Sequence, residues 1–322
     1  MHQKKMTGTI IKSTGSNYLV RDNGSGAIIP CKIRGKLRLD GIKSTNPVAV
    51  GDVIDYDMET SGDVCVISNI QKRQNCIVRR ATNLSRQSQV IAANIDQCLI
   101  VTTLIMPETP LEFIDRFLVT AVAYKVTPII VFNKCDLCKD EGIAEELQRR
   151  IDLYTKIGYR CHCTSSVTGE GIDTLREILR DKTTLLSGRS GTGKSTLINT
   201  INPGLNLRTG EISSAHLDGK HTTTFAEMFP LSFGGYVVDT PGIRSFGTAG
   251  LSNEDVAHNF PEFFSRLSEC RFYNCTHTNE PGCAVKAAVE SGEIEFSRYE
   301  SYLSICFEDG GKHRMSRKEI FG

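Results

Sequence analysis

The chain has 322 residues, 39% of them hydrophobic and 23% charged, enough for two or three domains and at least one large core. No apolar run approaches membrane-spanning length, and Met1–Lys5 leads into a polar stretch instead of an apolar leader, so a spanning helix is excluded and a cytoplasmic protein is expected. The net charge of +1 hides basic clusters, and the twelve cysteines, in a reducing compartment, point to thiols or a metal site instead of disulfides.

From about residue 6 to 70, short β-prone runs alternate with Gly, Asn, Asp and Ser. Thr9–Ile11, Tyr18–Val20, Ala27–Ile29, Val53–Tyr56 and Val64–Ile67 predict a five-stranded barrel of the oligonucleotide-binding (OB) type, an SH3-like barrel fitting nearly as well. The segment Lys32 to Lys43 holds five basic residues against the single acid Asp40 and is expected on a barrel loop. The basic run Lys72, Arg73, Arg79, Arg80 and Arg86 belongs to a polar stretch, about Gln71 to Gln89, that reads as a linker. The tail carries Lys312, Arg314, Arg317 and Lys318. Such patches suit phosphate backbones, although each alone is equally compatible with solvated surface.

Beyond the linker the pattern becomes alternating strand and helix, which predicts a mostly parallel sheet covered on both faces. Gln97–Val101 and Pro128–Phe132 read as buried strands, Leu111 to Lys125 as the helix between them, Ile143 to Ile157 as a second helix and Tyr159–Cys163 as a further strand. Asn133-Lys134-Cys135-Asp136 ends the strand before the second helix. A carboxylate there can accept two hydrogen bonds from the guanine N1–H and exocyclic amine, a pair adenine does not offer, so Asp136 would select GTP and GDP. Thr164-Ser165-Ser166 follows the next strand, where Ser165 and Ser166 would offer backbone donors to the guanine O6.

Gly188-Arg189-Ser190-Gly191-Thr192-Gly193-Lys194-Ser195 follows the apolar strand Thr184–Leu186 and opens a helix through Thr196, the context a phosphate loop requires. Its glycines allow backbone N–H groups to turn inward around phosphates. Lys194 would reach the β and γ oxygens, and Ser195 would ligate Mg²⁺. Asp239-Thr240-Pro241-Gly242 follows the strand Tyr236–Val238, so Asp239 could support the Mg²⁺ shell and the Gly242 N–H could sense the γ-phosphate. The guanine element precedes the phosphate loop, the reverse of the usual order. That order implies a circularly permuted GTPase domain whose second switch lies next to the carboxyl-terminal region.

From about Leu251 the pattern turns helical and cysteine-rich. Cys270-x₄-Cys275-x-His277-x₅-Cys283 offers three thiolates and an imidazole, suited to one structural, tetrahedral Zn²⁺ with no open position. Cys135-x-x-Cys138 has redox-like spacing but overlaps the guanine motif, and reads as incidental thiols. In Cys161-His162-Cys163, strand alternation sends His162 away from both cysteines, which predicts sheet packing over chelation.

These features together resemble the RsgA (YjeQ) family of circularly permuted GTPases that act on the small ribosomal subunit, and the resemblance spans essentially the whole chain. It implies an α/β protein: a permuted P-loop GTPase domain flanked by an OB-like amino-terminal barrel and a helical zinc-binding domain. The boundaries expected are 1–72 for the RNA-binding barrel, 73–89 for the basic linker, 90–250 for the GTPase domain and 251–322 for the zinc domain with its basic tail. Gly219-Lys220-His221-Thr222-Thr223-Thr224 matches the family's first switch, so Thr223 is expected to complete the Mg²⁺ shell. The resemblance implies late assembly of the small subunit, with subunit-stimulated hydrolysis coupled to factor release.

Ile243 stands where a Ras-like enzyme places its water-orienting glutamine, and an aliphatic side chain cannot orient water. Slow intrinsic turnover is therefore expected. His221 is the leading catalytic candidate, the alternative being an exposed switch histidine. Lys32, Arg34, Lys36 and Arg38 on the barrel, with Lys312, Arg314, Arg317 and Lys318 on the tail, are expected to meet rRNA phosphates. The alternative functional readings are a signalling or metabolic GTPase and a GTP-dependent binding switch with negligible turnover. No oligomerisation signal is present, and a monomer is expected.

Overall fold

The computed structural model of the chain describes residues 6–14, 17–33, 48–58, 65–80, 88–205, 226–239 and 251–307. At the amino terminus, strands β1 (Met6–Ser13), β2 (Asn17–Asp22), β3 (Ile28–Ile33), β4 (Val53–Met58) and β5 (Cys65–Ile70) follow one another. Their period-two pattern sends Tyr18 and Val20 inward while Asn17 and Leu19 face out. Ile10, Tyr18, Val20, Cys31, Ile54, Tyr56, Cys65 and Ile67 fill the interior. The spatial order β1-β2-β3-β5-β4, closed by β4 pairing with β1, makes a barrel with a Greek-key step. Of the two barrel types expected, this order is the OB type. Lys32 lies on β3 opposite Asn17, on a strand instead of the loop expected for it. Arg34, Lys36 and Arg38 lie outside the described residues.

The stretch expected as a linker is in part regular structure. Strand β6 (Cys76–Arg80) pairs antiparallel with β7 (Ser88–Ala93) in a two-stranded ribbon. The ribbon grips the barrel. Val50 bridges to Ala92, the Asn94 side chain donates to the Gly51 carbonyl at 2.9 Å, and Arg73 pairs with the buried Asp52 at 2.6 Å. Gly51 has φ +88°, and a Cβ there would lie 2.0 Å from the Ala93 carbonyl oxygen, so only glycine permits this approach.

The central sheet runs β10 (Arg160–Thr164), β9 (Thr127–Asn133), β8 (Gln97–Thr102), β11 (Thr183–Ser187), β13 (Tyr236–Asp239) and β12 (Glu227–Pro230), all parallel except β12. Helices α1 (Leu111–Ala123) and α2 (Glu141–Lys156) cover one face; α3 (Ile172–Leu179) and α4 (Lys194–Ile201) cover the other. Alternation on β8 shows why both faces are needed. Cys98 and Ile100 join the core with Ile114, Phe117 and Leu118 of α1, whereas Leu99 and Val101 join Leu175, Leu197 and Ile198. Each such buried aliphatic side chain contributes about 1.5–3 kcal/mol. β12 also pairs with β1 through Glu227 and Lys12, which form a 2.9 Å ion pair and join barrel and sheet.

The carboxyl-terminal unit is helical: α5 (Asn253–His258), α6 (Pro261–Phe264), α7 (Ala284–Glu290) and α8 (Phe296–Cys306). A capping box between Ser252 and Asp255 starts α5. The core of the unit includes Val119 from α1, so it is continuous with the GTPase domain's surface. Arg298 of α8, 1% exposed, donates to Asp115 of α1 and to Glu262 at 2.7 Å, and the Tyr154 hydroxyl donates to the same Asp115 carboxylate at 2.7 Å. Among the described residues no helix is long and apolar enough to cross a membrane.

Candidate nucleotide site and metal centre

Because β9, β10, β11 and β13 are parallel, their carboxyl ends share one edge of the sheet, where ligands bind in such folds. Asn133, Thr164, the loop after Ser187 and the Asp239 position all fall there. The phosphate loop folds tightly because its glycines allow it. Gly188 has φ +143°, and a Cβ would lie 2.3 Å from the Val101 carbonyl oxygen. Gly193 has φ +87°, and a Cβ would meet the Asn133 amide nitrogen at 2.7 Å. Lys194 Nζ donates to the carbonyls of Gly188 and Arg189, both at 2.8 Å, which holds the ammonium over the loop where phosphate oxygens would enter. Ser195 follows it at the start of α4 and is buried, whereas Thr196 and Ser190 are exposed.

The Asn133–Asp136 segment is fastened to that loop. Asn133 donates to the Thr192 carbonyl at 2.9 Å and accepts from the Thr164 hydroxyl at 3.1 Å. Lys134, in the left-handed region at φ +63°, sends Nζ to the Gly191 carbonyl at 2.7 Å. Asp136 lies on the 3₁₀ turn Cys135–Leu137, where the Ser165 hydroxyl donates to its carboxylate at 2.6 Å. The same Ser165 oxygen accepts from the N–H groups of Val167 and Thr168, which fixes the turn after β10. The Ser166 hydroxyl is buried with no protein partner. Asn133, Lys134, Asp136 and Ser165 thus join residues 188–195 in one cleft.

A loop that the sequence alone does not single out flanks the cleft. Residues 103–110 reach both halves of the cleft: Arg189 donates to the Glu108 carbonyl at 2.8 Å, and Lys134 Nζ also donates to the Met106 carbonyl. Arg150 of α2 buttresses this loop through the Thr109 carbonyl at 3.0 Å and the Glu108 carboxylate at 2.8 Å. Pro107 and Thr109 were the local hints, but nothing local showed what the loop would touch. Thr223, His221 and Gly242 lie outside the described residues, as do Lys312, Arg314, Arg317 and Lys318; Asp239 ends β13.

The second cluster is compact. The donor atoms of Cys270, Cys275, His277 and Cys283 lie within 4.8 Å of one another, with His277 Nδ1 3.4 Å from Cys283 Sγ and 3.7 Å from Cys270 Sγ. Zn–S bonds of about 2.3 Å in a tetrahedron place neighbouring ligands roughly 3.5–4 Å apart, so the set fits a four-coordinate metal. Tyr299 donates to the His277 carbonyl at 2.6 Å, and Tyr302 donates to the Thr276 carbonyl, so α8 holds the ligand loop. His162 takes no part. It sits on β10, where burial and then Arg160 hold its pKa below the ordinary imidazole range, and its buried Nε2 has no protein partner.

A parallel sheet that carries the Asn-Lys-x-Asp element upstream of a phosphate loop, between a barrel and a Cys₃His cluster, defines a circularly permuted GTPase. Residues 70–249 match the RsgA GTPase family, and residues 7–66 match the RsgA N-terminal domain. The chain belongs to the RsgA GTPase family and is a GTP hydrolase. It is 52% identical over 312 residues to the small ribosomal subunit biogenesis GTPase RsgA of Bacteroides fragilis strain YCH46, covering 97% of this chain and 100% of the relative. Among solved structures it is similar to YjeQ from Thermotoga maritima, at 37% identity and a TM-score of 0.79 over 96% of this chain and 100% of that one. YloQ, described as a circularly permuted GTPase, follows at 31% identity and a TM-score of 0.75, with 97% and 98% coverage.

Proposed function

We propose that this GTPase binds the small ribosomal subunit and couples hydrolysis to the subunit's late maturation and to its own release. The reading is carried by the fastening of Asn133 and Lys134 onto the phosphate loop at 2.9 and 2.7 Å, in a chain similar over its whole length to small-subunit biogenesis GTPases. Asp136 would take the guanine N1–H and amine, held in place by Ser165, with Ser166 beside it. Residues Gly188 to Thr196 would surround the phosphates, and the Gly242 N–H would sense the γ-phosphate. Ser195, Thr223 and Asp239 would hold Mg²⁺, which offsets phosphate charge when bound. Cys270, Cys275, His277 and Cys283 would hold a structural zinc. Lys32, Arg34, Lys36 and Arg38, with Lys312, Arg314, Arg317 and Lys318, would meet rRNA phosphates. The protein would work in the cytoplasm as a monomer.

Ile243 stands at the sequence position of a water-orienting glutamine and has no group that could orient water, so turnover alone would be slow and the subunit would supply or organise the missing group, with His221 as the residue it orders. Phosphate release under single-turnover conditions, with and without saturating small subunits, tests this. Wild type should be stimulated and His221→Ala should lose most of the stimulation. Equal stimulation of both removes His221 from the mechanism. No stimulation of wild type favours the other reading, a GTP latch with negligible turnover, for which Ile243 also speaks.

A further inference from the structure

An arginine on a helix that covers a sheet ordinarily faces solvent, yet α2 buries Arg150 with Leu153 and Tyr154, leaving it 7% exposed. Its planar fork of donors meets three acceptors. Nη1 donates to the Thr109 carbonyl at 3.0 Å, Nη2 to the Glu108 carboxylate at 2.8 Å and Nε to Glu146 of the same helix at 2.7 Å. Two of the three belong to the loop of residues 103–110. That loop is also closed from within. The Thr103 N–H donates to the Thr109 hydroxyl at 3.1 Å, the Thr109 N–H to the Thr103 carbonyl at 2.9 Å and the Thr103 hydroxyl to the Pro107 carbonyl.

What the loop presents to the cleft is backbone. The Met106 carbonyl accepts from Lys134 Nζ, which also donates to the Gly191 carbonyl at 2.7 Å, and the Glu108 carbonyl accepts from Arg189 at 2.8 Å. A Cβ on Gly191 would lie 3.2 Å from Pro107 Cδ, so the loop packs on the phosphate loop as well. Lys134 is the left-handed residue that opens the 3₁₀ turn bearing Asp136. One loop therefore tethers both the turn expected to hold the base and the loop expected to hold the phosphates.

We propose that Arg150 is a positioning residue for the nucleotide site: by fixing residues 108 and 109 it keeps the Met106 and Glu108 carbonyls under Lys134 and Arg189, and so sets the affinity for guanine nucleotides. This role rests on the reading of Asp136 and residues 188–195 as the nucleotide site. Without the guanidinium, the buried Thr109 carbonyl loses its donor, and Lys134 and Arg189 lose fixed acceptors. The assembled site is then populated for a smaller fraction of the time, and the apparent affinity falls by that fraction. Ground state and transition state lose the same support, so KM rises while kcat holds.

The test replaces Arg150 with Met, which keeps an unbranched apolar stem and removes every donor. Thr109→Val, close to isosteric, opens the loop from within and leaves Arg150 in place. Arg149→Ala is the control, since Arg149 pairs with the same Glu146 from the half-exposed side of α2. The dissociation constant of a fluorescent GDP analogue, and KM and kcat for GTP hydrolysis, are compared with wild type. Arg150→Met and Thr109→Val should weaken GDP binding and raise KM about 10-fold, the worth of one charge-assisted hydrogen bond, with kcat held within about twofold. Arg149→Ala should match wild type. A fall in kcat at unchanged KM is what loss of folded enzyme produces, and it overturns the proposal. Normal affinity in Arg150→Met, or in Thr109→Val should the first variant not fold, overturns it too, as does an equal shift in Arg149→Ala. A failed guanine reading has its own mark, undiminished GDP affinity in Asp136→Asn. Weakened binding in that variant beside normal binding in Arg150→Met overturns the role of Arg150 alone.

Discussion

Asn133 spans the cleft with one amide, its nitrogen on the Thr192 carbonyl and its oxygen on the Thr164 hydroxyl. Neighbouring Asp136 is held from the other side by Ser165. That division of labour predicts the outcome of Asp136→Asn. An amide replaces the acceptor pair with one acceptor and one donor, so GTP affinity should fall about 100-fold or more, as two charge-assisted hydrogen bonds are lost. Xanthosine nucleotides should gain, and competition binding with GTP and XTP measures both. Asp136 was legible in the sequence because its motif is local and ends a hydrophobic strand. The Met106 and Glu108 carbonyls that hold Lys134 and Arg189 were not, because the loop bearing them is placed only by the tertiary fold.

Among the elements, α2 links surface charge to the cleft. Glu146 accepts from Arg149 at 2.7 Å and from Arg150 at 2.7 Å, and Arg150 in turn supports residues 108 and 109. The Arg149 hydrogen bond, with Arg150 adding to it against partial burial, holds the Glu146 pKa down at about 2. A carboxylate depressed in the folded state contributes stability that is full above its unfolded pKa and is lost as pH falls. The window here runs from about 4.5 down to about 2. Because the group is partly exposed, the contribution should be about 1 kcal/mol. Urea denaturation between pH 6 and pH 2 should show Glu146→Gln less stable than wild type at pH 6, with the difference shrinking steadily below pH 4.5 and largely gone by about pH 2. The helical spacing of α1 and α2 made both readable in sequence. The ribbon was not: Cys76-Ile77-Val78-Arg79-Arg80 carries too much charge and too short an apolar run to announce a strand, and only its pairing with β7 makes it one.

For the whole molecule, the three-part plan was legible from the order of motifs, while the contacts joining the parts were not. Arg298 is the clearest case, an arginine in a helical pattern that would ordinarily face solvent. It is instead sealed against Asp115 and Glu262 where α8 meets α1. Arg298→Ala leaves two carboxylates uncompensated and should cost about 3–5 kcal/mol. Chemical denaturation followed by circular dichroism would measure it, and unchanged stability would show that the seal is not what holds the carboxyl-terminal unit in place. The ribbon has a mechanical consequence at the same scale. It clasps the barrel at Val50 and Gly51, and its second strand runs within four residues into β8, the central strand beneath the cleft. The barrel is therefore a handle and not a pendant: whatever large surface grasps it also sets the direction in which the nucleotide pocket opens.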